Sequence, residues 1–468
     1  MSPDAATPAA LPARDRLRAH LAALEDGLLE RQTAVRLLLL GALAGEHVLL
    51  IGPPGTAKSE LARRLHRAFA GTAYFERLLT RFSTPEELFG PLSLVALEDD
   101  RYERLVDGYL PTAGIAFLDE VFKANSAILN ALLTLLNERE FDNGSGRRPT
   151  PLVSLVGATN EAPADESLLA FHDRFLLRVP VAPVGDASFA ALLTGRDGSA
   201  ADGPAPLTPA ERAAVRAAAD AVTLSADALA ALAELRAAAA ERALAVSDRR
   251  WRRIVGLLRT AAATEGRREV ERLDLWLAPY VAGHDADSVA ALRDWVDRSL
   301  LDLADDPLPW FDRAAESFEQ QLEVERRAPA DEADASAGKL ALARAAGARE
   351  AEAGSMRIVS ARLERSQQRR WSPVHVAARV AEAGQALDRL GAVRAERAAR
   401  RDALAAQAAA RLWLPPARAA RWLAQLDATL ARLDAMRARL AACRDGFAAL
   451  PQDDALPAEA PAPLAVGA

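Results

Sequence analysis

The stretch "IGPPGTAKSE", residues 51–60, is the most informative part of this chain. It follows the apolar run "EHVLL" and precedes the amphipathic run "SELARRLHRAF", so we expect a loop between a buried strand and a helix. In such a loop, successive backbone N–H groups and the helix N-terminus can surround phosphate oxygens. Lys58 would reach the β- and γ-phosphates, and the Ser59 hydroxyl would bind Mg²⁺. The predicted nucleotide-binding residues are Gly52, Pro53, Pro54, Gly55, Thr56, Ala57, Lys58 and Ser59.

The loop departs from the strict phosphate-loop pattern at one position. Ala57 stands where the pattern G-x-x-x-x-G-K-[ST] has its second glycine. The backbone N–H of Ala57 can still face a phosphate, provided that the loop needs no positive φ at that residue. The alternative interpretation is a Gly/Pro turn that binds nothing.

Two further apolar runs end in polar side chains that suit phosphate chemistry. "GIAFLDE", residues 114–120, predicts a strand that ends in Asp119 and Glu120. Asp119 can hold Mg²⁺ through water, and Glu120 can orient the attacking water. "LVSLVGATN", residues 152–160, predicts a strand that ends at Asn160, whose amide can position the same water or contact the γ-phosphate. For Asn160 the alternative is a turn-forming asparagine.

Two arginine-containing segments follow. "FHDRFLLR", residues 171–178, contains an arginine just after the predicted sheet that could stabilise charge in a neighbouring subunit's site. A surface arginine is the alternative. In "VSDRRWRRI", residues 246–254, Ser247 can cap a helix whose first turn carries two arginines. Arginines are favoured near helix C-termini, so this placement indicates an anionic target such as the γ-phosphate.

These five elements, in this order, resemble those of the AAA+ ATPases: Walker A, Walker B, sensor 1, arginine finger and sensor 2. The segments "GPPGTAKS", "TRFSTPEELFGPLS", "GYLPTAGIAFLDE", "ILNALLTLLNERE" and "SDRRW" look like the MoxR branch, and within it the regulatory ATPase variant A (RavA) subgroup. The resemblance covers about residues 14–300, and an alanine before the lysine is usual in that branch. It implies that the family's roles are taken by Lys58, Ser59, Asp119, Glu120, Asn160, Arg174 and Arg249, with Arg178 and Arg250 as alternatives to the last two.

The resemblance also implies a fold and a division into domains. We expect an α/β P-loop (AAA+) parallel sheet with helices on both faces, followed by an all-α lid and an extended helical C-terminal region. The predicted boundaries are a flexible arm at 1–13, the nucleotide-binding core at 14–195, a linker at 196–207, the lid with sensor 2 at 208–300, the helical region at 301–450 and a disordered tail at 451–468.

Two segments are candidate working surfaces. Residues 140–155 predict a hairpin with a turn at Asn143-Gly144, which in such ATPases faces a central pore. Residues 82–94 match the branch's insertion around its second helix. The alternative is that both segments only complete the edge of the sheet.

The C-terminal third departs from the family pattern. The best-known members insert a β-rich domain that docks a lysine decarboxylase, whereas residues 328–395 are rich in Ala, Glu and Arg. We infer that the docking domain is absent, which puts that partnership in doubt. Near the end, a leucine and methionine seam between Leu423 and Leu440 predicts a helix that packs on its own domain, with a partner-binding zipper as the alternative.

Composition narrows the function. The 468 residues include 65 acidic and 58 basic side chains, a net charge of −7, and this balance disfavours a nucleic-acid motor. The single cysteine, Cys443, excludes an intrachain disulfide, and the absence of a signal peptide or long apolar run favours a cytoplasmic protein without membrane insertion. The resemblance implies ATP and Mg²⁺ as cofactors, a homo-hexamer, a protein client and a von Willebrand factor A partner. A nucleotide-gated scaffold with slow turnover is the alternative.

Overall fold

The computed structural model describes residues 11–144, 146–163, 165–195, 203–301, 308–329 and 369–464. These residues fall into two compact units. The first unit holds residues up to 301 together with 408–419, and the second holds the described residues among 308–407 and 420–464. None of the described helices combines the length and the apolar character that crossing a membrane would require.

A parallel five-stranded sheet forms the centre of the first unit, in the order β2-β3-β6-β1-β7. Two-stranded pairings β4-β5 and β8-β9 accompany it among the described residues. The strands are β1 His47–Ile51, β2 Ala73–Leu78, β3 Ala113–Asp119, β4 Glu140–Asp142, β5 Arg147–Pro149, β6 Ser154–Thr159, β7 Phe175–Pro180, β8 Thr223–Leu224 and β9 Glu269–Val270.

Helices surround this sheet and build the rest of the described chain. In the first unit they are α1 Arg14–Glu25, α2 Gln32–Ala44, α3 Lys58–Arg67, α4 Pro85–Phe89, α5 Leu94–Glu98, α6 Ser126–Glu138, α7 Glu166–His172, α8 Asp186–Thr194, α9 Pro209–Asp220, α10 Ala226–Glu241, α11 Asp248–Thr264, α12 Pro279–Ala282 and α13 Ala286–Leu301. In the second unit they are α14 Leu308–Arg327, α15 Pro373–Ala409 and α16 Pro416–Ala448. The last residues of α15 and the first residues of α16 belong to the 408–419 segment of the first unit.

The three central strands explain why the sheet is parallel. All residues of β1 and β6 are buried, and β3 is buried up to its last residue. Strands that are covered on both faces read as continuous apolar runs, which is the pattern that the sequence shows before each polar strand end. The predicted fold class, a parallel α/β core followed by helical regions, is confirmed.

The lid region begins with a capping motif. Thr208 caps α9, its hydroxyl accepts from the Glu211 N–H, and Glu211 reaches back to the Thr208 N–H in a capping box. Ser247 caps α11 by accepting from the Arg250 N–H at 3.3 Å. Both caps satisfy backbone donors that a helix start would otherwise leave free, each at about 1 kcal/mol of stability.

The second unit is a helical bundle with its own core. Leu426, Leu433, Met436 and Leu440 of α16 are buried, and the last three pack in one cluster with Phe311 of α14 and residues of α15. The leucine seam of the sequence therefore packs within its own unit.

The chain after α16 returns along this bundle. The sequence predicts disorder for residues 451–468, but the described part runs beside α15. The Asp453 N–H donates to the Trp371 carbonyl at 3.0 Å, and Arg379 donates to the Ala462 carbonyl at 3.0 Å. Three other expectations rest wholly or partly outside the described residues: the arm at 1–13, the linker at 196–207 and the missing docking domain at 328–395.

Candidate nucleotide-binding site

The predicted phosphate loop joins β1 to α3, and Ala57 occupies the N-cap position of that helix. Its φ of 65° lies in the left-handed region, as does the 78° of Gly55. Phosphate binding by the Ala57 N–H is conditional, in the sequence analysis, on a loop without a positive φ at Ala57. That condition is not met, because this loop does require a positive φ there. An L-residue pays about 1–2 kcal/mol for that conformation, and such strain is often concentrated at functional sites.

Gly52 is required by a close backbone approach. A Cβ at this position would lie 2.1 Å from the Val181 carbonyl oxygen. The Gly52 N–H donates to the Thr159 carbonyl at 3.0 Å, and the Val181 N–H donates to the Ile51 carbonyl at 2.7 Å. The start of the loop is thus held between the ends of β6 and β7, where only glycine fits.

Lys58 lies against the loop that it would serve. Its ammonium donates to the carbonyls of Gly52 at 2.7 Å and Pro53 at 2.8 Å. Burial lowers the pKa of Lys58, and the charges of Asp119 and Glu120 oppose that shift. The two carboxylates of the β3 end are therefore within electrostatic reach of the lysine, as the sequence predicts for one common site.

Glu120 and Asn160 meet across the sheet edge. The Asn160 amide donates to one carboxylate oxygen of Glu120 at 3.0 Å, and Lys123 forms an ion pair with the other at 3.2 Å. Glu120 also has a left-handed φ of 51°, which turns the chain sharply after β3. The sequence analysis missed Lys123, although its position three residues after Glu120 was a usable signal.

Ser59 and Asp119 fit the chemistry of a magnesium site. Both supply hard oxygen donors, and one Asp119 oxygen accepts the Glu120 N–H at 3.0 Å. The described residues contain no cluster of three or more His, Cys, Asp or Glu that could hold a metal ion alone. The two oxygen donors of Ser59 and Asp119 suit Mg²⁺, which is usually held by one or two protein oxygens, waters and substrate phosphates.

Arg31 is a second residue that the sequence analysis missed. It is buried just before α2, and its Nε donates to the Thr56 carbonyl at 3.1 Å. Burial lowers its pKa, and Glu30 opposes that shift. Arg31 braces the phosphate loop from outside, and nothing in the linear spacing could have revealed this contact.

Arg174 lies at the amino edge of the sheet, where the parallel strands begin, whereas Glu120 and Asn160 lie at the carboxyl edge, where the strands end. It directly precedes Phe175, the first residue of β7, which pairs in parallel with His47 at the start of β1. The phosphate loop begins at Gly52, beyond the far end of β1, about 16–20 Å away along the strand. Arg174 therefore does not face the phosphate loop of its own chain.

Arg249 shares that edge with Arg174. Burial lowers the pKa of Arg174, and the charges of Arg249 and Arg253 add to the shift. Arg253 is one turn further along α11 and pairs at 3.1 Å with Glu46, the residue before β1. The structure thus brings Arg174 and Arg249 together but places both away from Lys58 and Glu120 of the same chain.

Arg178 and Arg250, the two alternatives, are buried structural residues. Arg178 donates to the carbonyls of Gly283 at 2.9 Å and His172 at 3.3 Å. Arg250 pairs with Asp173 at 2.9 Å and donates to backbone carbonyls of β7 and of α12. Burial lowers the pKa of both guanidiniums. Neither is available to a nucleotide in this arrangement.

Fold and site together define a P-loop α/β module with a helical lid. The comparisons with known proteins agree. Residues 15–214 match a family model described as the MoxR domain in the MoxR-vWA-beta-propeller ternary systems, and residues 227–296 match an AAA lid domain.

Several characterised and uncharacterised proteins are similar to this chain. An uncharacterised protein of Methanocaldococcus jannaschii is 54% identical over 156 residues, which are 33% of this chain and 42% of that protein. Protein MoxR of Paracoccus denitrificans is 31% identical over 36% of this chain and 50% of its own length. Chaperone MoxR1 of Mycobacterium tuberculosis is 30% identical over 34% of this chain and 40% of its own length. The match thus spans half or less of each of these relatives.

Residues 15–296 of this chain are thus similar to MoxR-type AAA+ ATPase domains. This similarity agrees with the branch that the sequence motifs indicated. The family model is described for MoxR-vWA-beta-propeller systems and does not name the RavA subgroup.

Proposed function

We propose that this protein is an ATP-hydrolysing motor. The observation that carries the proposal is the contact between Glu120 and Asn160 at 3.0 Å, at the carboxyl edge of the sheet and within electrostatic reach of Lys58. A base, an amide and a phosphate-binding lysine in one place are what in-line attack of water on a γ-phosphate requires.

The residues divide the work as follows. Backbone N–H groups of the loop from Gly55 to Ser59 hold the phosphates, and Lys58 leaves its loop carbonyls to bind the β- and γ-oxygens. Glu120 orients and deprotonates the attacking water, and Asn160 holds that carboxylate in position. Ser59 and Asp119 hold Mg²⁺, which when bound neutralises charge on the phosphate oxygens.

The active form is a ring. Arg174 and Arg249 lie at the amino edge, too far from the phosphate loop of their own chain to reach it, so both serve a site on a neighbouring subunit. A head-to-tail contact that presents one edge to the next subunit's opposite edge closes into a ring. We take this ring to be a homo-hexamer, with Arg174 as the arginine finger and Arg249 as sensor 2.

The motor acts on a protein client. Around the insertion, Phe82, Leu94 and Val95 expose 89%, 74% and 71% of their surface, a concentration of apolar groups that favours contact with another protein. The predicted hairpin of β4 and β5 is confirmed, and Asn143 connects it to the segment that follows the insertion by bonding both the N–H and the carbonyl of Arg104. We propose that these two segments form the surface that contacts the protein client.

A protein with a von Willebrand factor A domain is the proposed partner. The description of the matching family model, which names MoxR-vWA systems, supports it. The closer likeness to RavA and the absence of its decarboxylase-docking domain remain proposals that rest on the sequence motifs. Of residues 328–395, where that domain would lie, 330–368 are outside the described part of the chain and 373–395 belong to α15.

The test compares ATP turnover of the wild type with that of Glu120→Gln, with the mass in solution measured with and without ATP. We expect the wild type to hydrolyse ATP, the variant to bind ATP without turnover, and ATP to drive assembly of both. If both proteins assemble and bind ATP but neither turns it over, the motor proposal fails. The nucleotide-gated scaffold would then be the better account.

A further inference from the structure

A cavity of about 330 Å³ opens at the amino edge of the sheet, away from the phosphate loop. One wall is the end of α2 and Gly45, just before β1, and another is the segment 150–153, just before β6. Three arginines complete the lining, namely Arg139, Arg212 and Arg216. None of the residues that line the cavity is acidic.

Arg139 builds the wall of this cavity. It caps α6 in the left-handed conformation and donates to the carbonyls of Gly45 and Leu152, both at 2.6 Å. Burial lowers its pKa to about 10, the charge of Glu46 opposes that shift, and the charge of Arg216 adds to it. The positive charge of Arg139 is therefore fixed in place by the backbone.

Arg212 and Arg216 have no comparable structural role. They stand four residues apart on one face of α9, a spacing at which like charges repel. Across the part of the chain that the structure describes, neither forms an ion pair, and the Nε of Arg212 is buried without a partner. The Arg212 guanidinium stacks on Phe69, with 5.8 Å between its central carbon and the centre of the ring. Burial lowers the pKa of Arg212, and the charge of Arg216 adds to that shift.

We propose that this cavity is a second anion site, which binds a compact phosphate-bearing molecule of the diphosphate type. The guanidinium groups of Arg212 and Arg216 offer planar pairs of donors that match phosphate oxygens, and Arg139 adds a fixed positive charge to the same wall. This set favours a polyanion with several oxygens over a single carboxylate. The volume lies at the lower end of ligand pockets and exceeds what a lone phosphate fills. The site is separate from the phosphate loop and makes no use of Lys58 or Glu120.

The experiment measures pyrophosphate binding by titration calorimetry. Lys58→Ala serves as the background, because the phosphate loop of the wild type would bind pyrophosphate too. We expect this variant to bind one pyrophosphate per chain with sub-millimolar affinity. Adding Arg212→Gln and Arg216→Gln should weaken binding at least about tenfold, since two charged contacts to the phosphate oxygens are lost.

A matched control removes two exposed arginines elsewhere in the lid. Arg236→Gln with Arg268→Gln, in the same Lys58→Ala background, loses the same charge and should leave the affinity unchanged. Replacing Arg212 and Arg216 by lysine keeps the charge but removes the planar donors, and should give intermediate affinity. Melting temperatures without pyrophosphate report folding.

Two results would overturn the proposal. One is that the Lys58→Ala protein binds no pyrophosphate. The other is that the variant with Arg212→Gln and Arg216→Gln binds pyrophosphate as tightly as the Lys58→Ala background. If that variant does not fold, equally tight binding by the variant with lysine at both positions would overturn the proposal instead. Because Lys58 is already absent, neither result bears on ATP hydrolysis, so this site and the motor stand or fall separately.

Discussion

The two edges of the central sheet differ in charge and in how they use it. At the carboxyl edge, two lysines lie near two carboxylates and an amide, a set suited to binding a phosphate and orienting a water. At the amino edge, four arginines surround the carboxylate of Glu46, and Asp173 forms an ion pair with Arg250. Burial raises the pKa of Glu46, and the charges of all four arginines oppose the shift. One sheet therefore carries two strand-end carboxylates beside the phosphate loop at one edge and an excess of arginines at the other, which is the division that the proposed head-to-tail ring needs.

The largest expected effect is at the carboxyl edge. Lys58→Ala removes the charge that binds the β- and γ-phosphates, so we expect both nucleotide binding and turnover to fall below detection. Arg174→Ala should slow turnover and leave nucleotide binding intact, because its charge belongs to the opposite edge. Fluorescent-nucleotide binding measured beside phosphate release separates the two. If Arg174→Ala also lost binding to the isolated subunit, the assignment of separate edges would be wrong.

The next effect tests whether the edges work in different subunits. Arg174→Ala should slow turnover about 1,000-fold, as the loss of an arginine finger does. Mixing it with Glu120→Gln should restore activity. In a mixed ring about one interface in four joins an intact Glu120 to an intact Arg174, since each site meets one neighbour. Phosphate release against mixing ratio is the measurement.

Two controls belong to that mixture. The Arg174→Ala, Glu120→Gln double variant mixed with Glu120→Gln should stay inactive, because no subunit then has an intact Glu120. Arg249→Ala mixed with Glu120→Gln should behave like the Arg174→Ala mixture if sensor 2 also acts across the interface. Activity that never exceeds the sum of the single variants would place both arginines in their own subunit's site.

The carboxyl edge could be predicted from the sequence, and the amino edge could not. Phosphate-loop residues, strand-end acids and Asn160 all directly follow apolar runs, and parallel strands deliver their carboxyl ends to one edge. The sequence offers two pairs of neighbouring arginines, Arg174 with Arg178 and Arg249 with Arg250. The members of each pair differ only in whether their side of the strand or helix is covered by the rest of the chain. That difference depends on tertiary packing against Asp173, Gly283 and Val281, which the linear spacing does not contain.

The third prediction uses one such pair of neighbours. Arg250→Ala leaves Asp173 without its partner and several buried carbonyls without a donor, so we expect a loss of about 3 kcal/mol in the free energy of unfolding. Arg249→Ala removes an exposed side chain and should change stability by no more than about 0.5 kcal/mol while it slows turnover. Denaturant unfolding of the two variants decides. Equal losses would mean that Arg249 is structural as well.

The smallest expected effect concerns His47, the first residue of β1. Its Nδ1 accepts the Leu155 N–H at 3.0 Å, and its Nε2 lies 3.4 Å from the Leu136 carbonyl, so the neutral ring satisfies both contacts. Burial, with the nearby charge of Arg139, holds the pKa of His47 well below 6.5. A folded pKa below the unfolded one means that this contribution to stability is present above pH 6.5 and is lost as the pH falls toward the folded pKa.

We therefore expect protonation of the His47 imidazole at low pH to reduce the stability of the amino edge of the sheet. Below pH 6.5, the wild type should lose about 1.4 kcal/mol per pH unit more than His47→Gln, which can accept and donate in the same places without titrating. Other buried histidines, including His172 with its pKa lowered to about 2 by burial and by Arg178, are common to both proteins and cancel in the difference. Urea unfolding at pH 7.5, 6.0 and 5.0 gives the two slopes. Parallel slopes would show that His47 takes up its proton without cost, and the amino edge would then owe its acid response to Glu46 and its arginines alone.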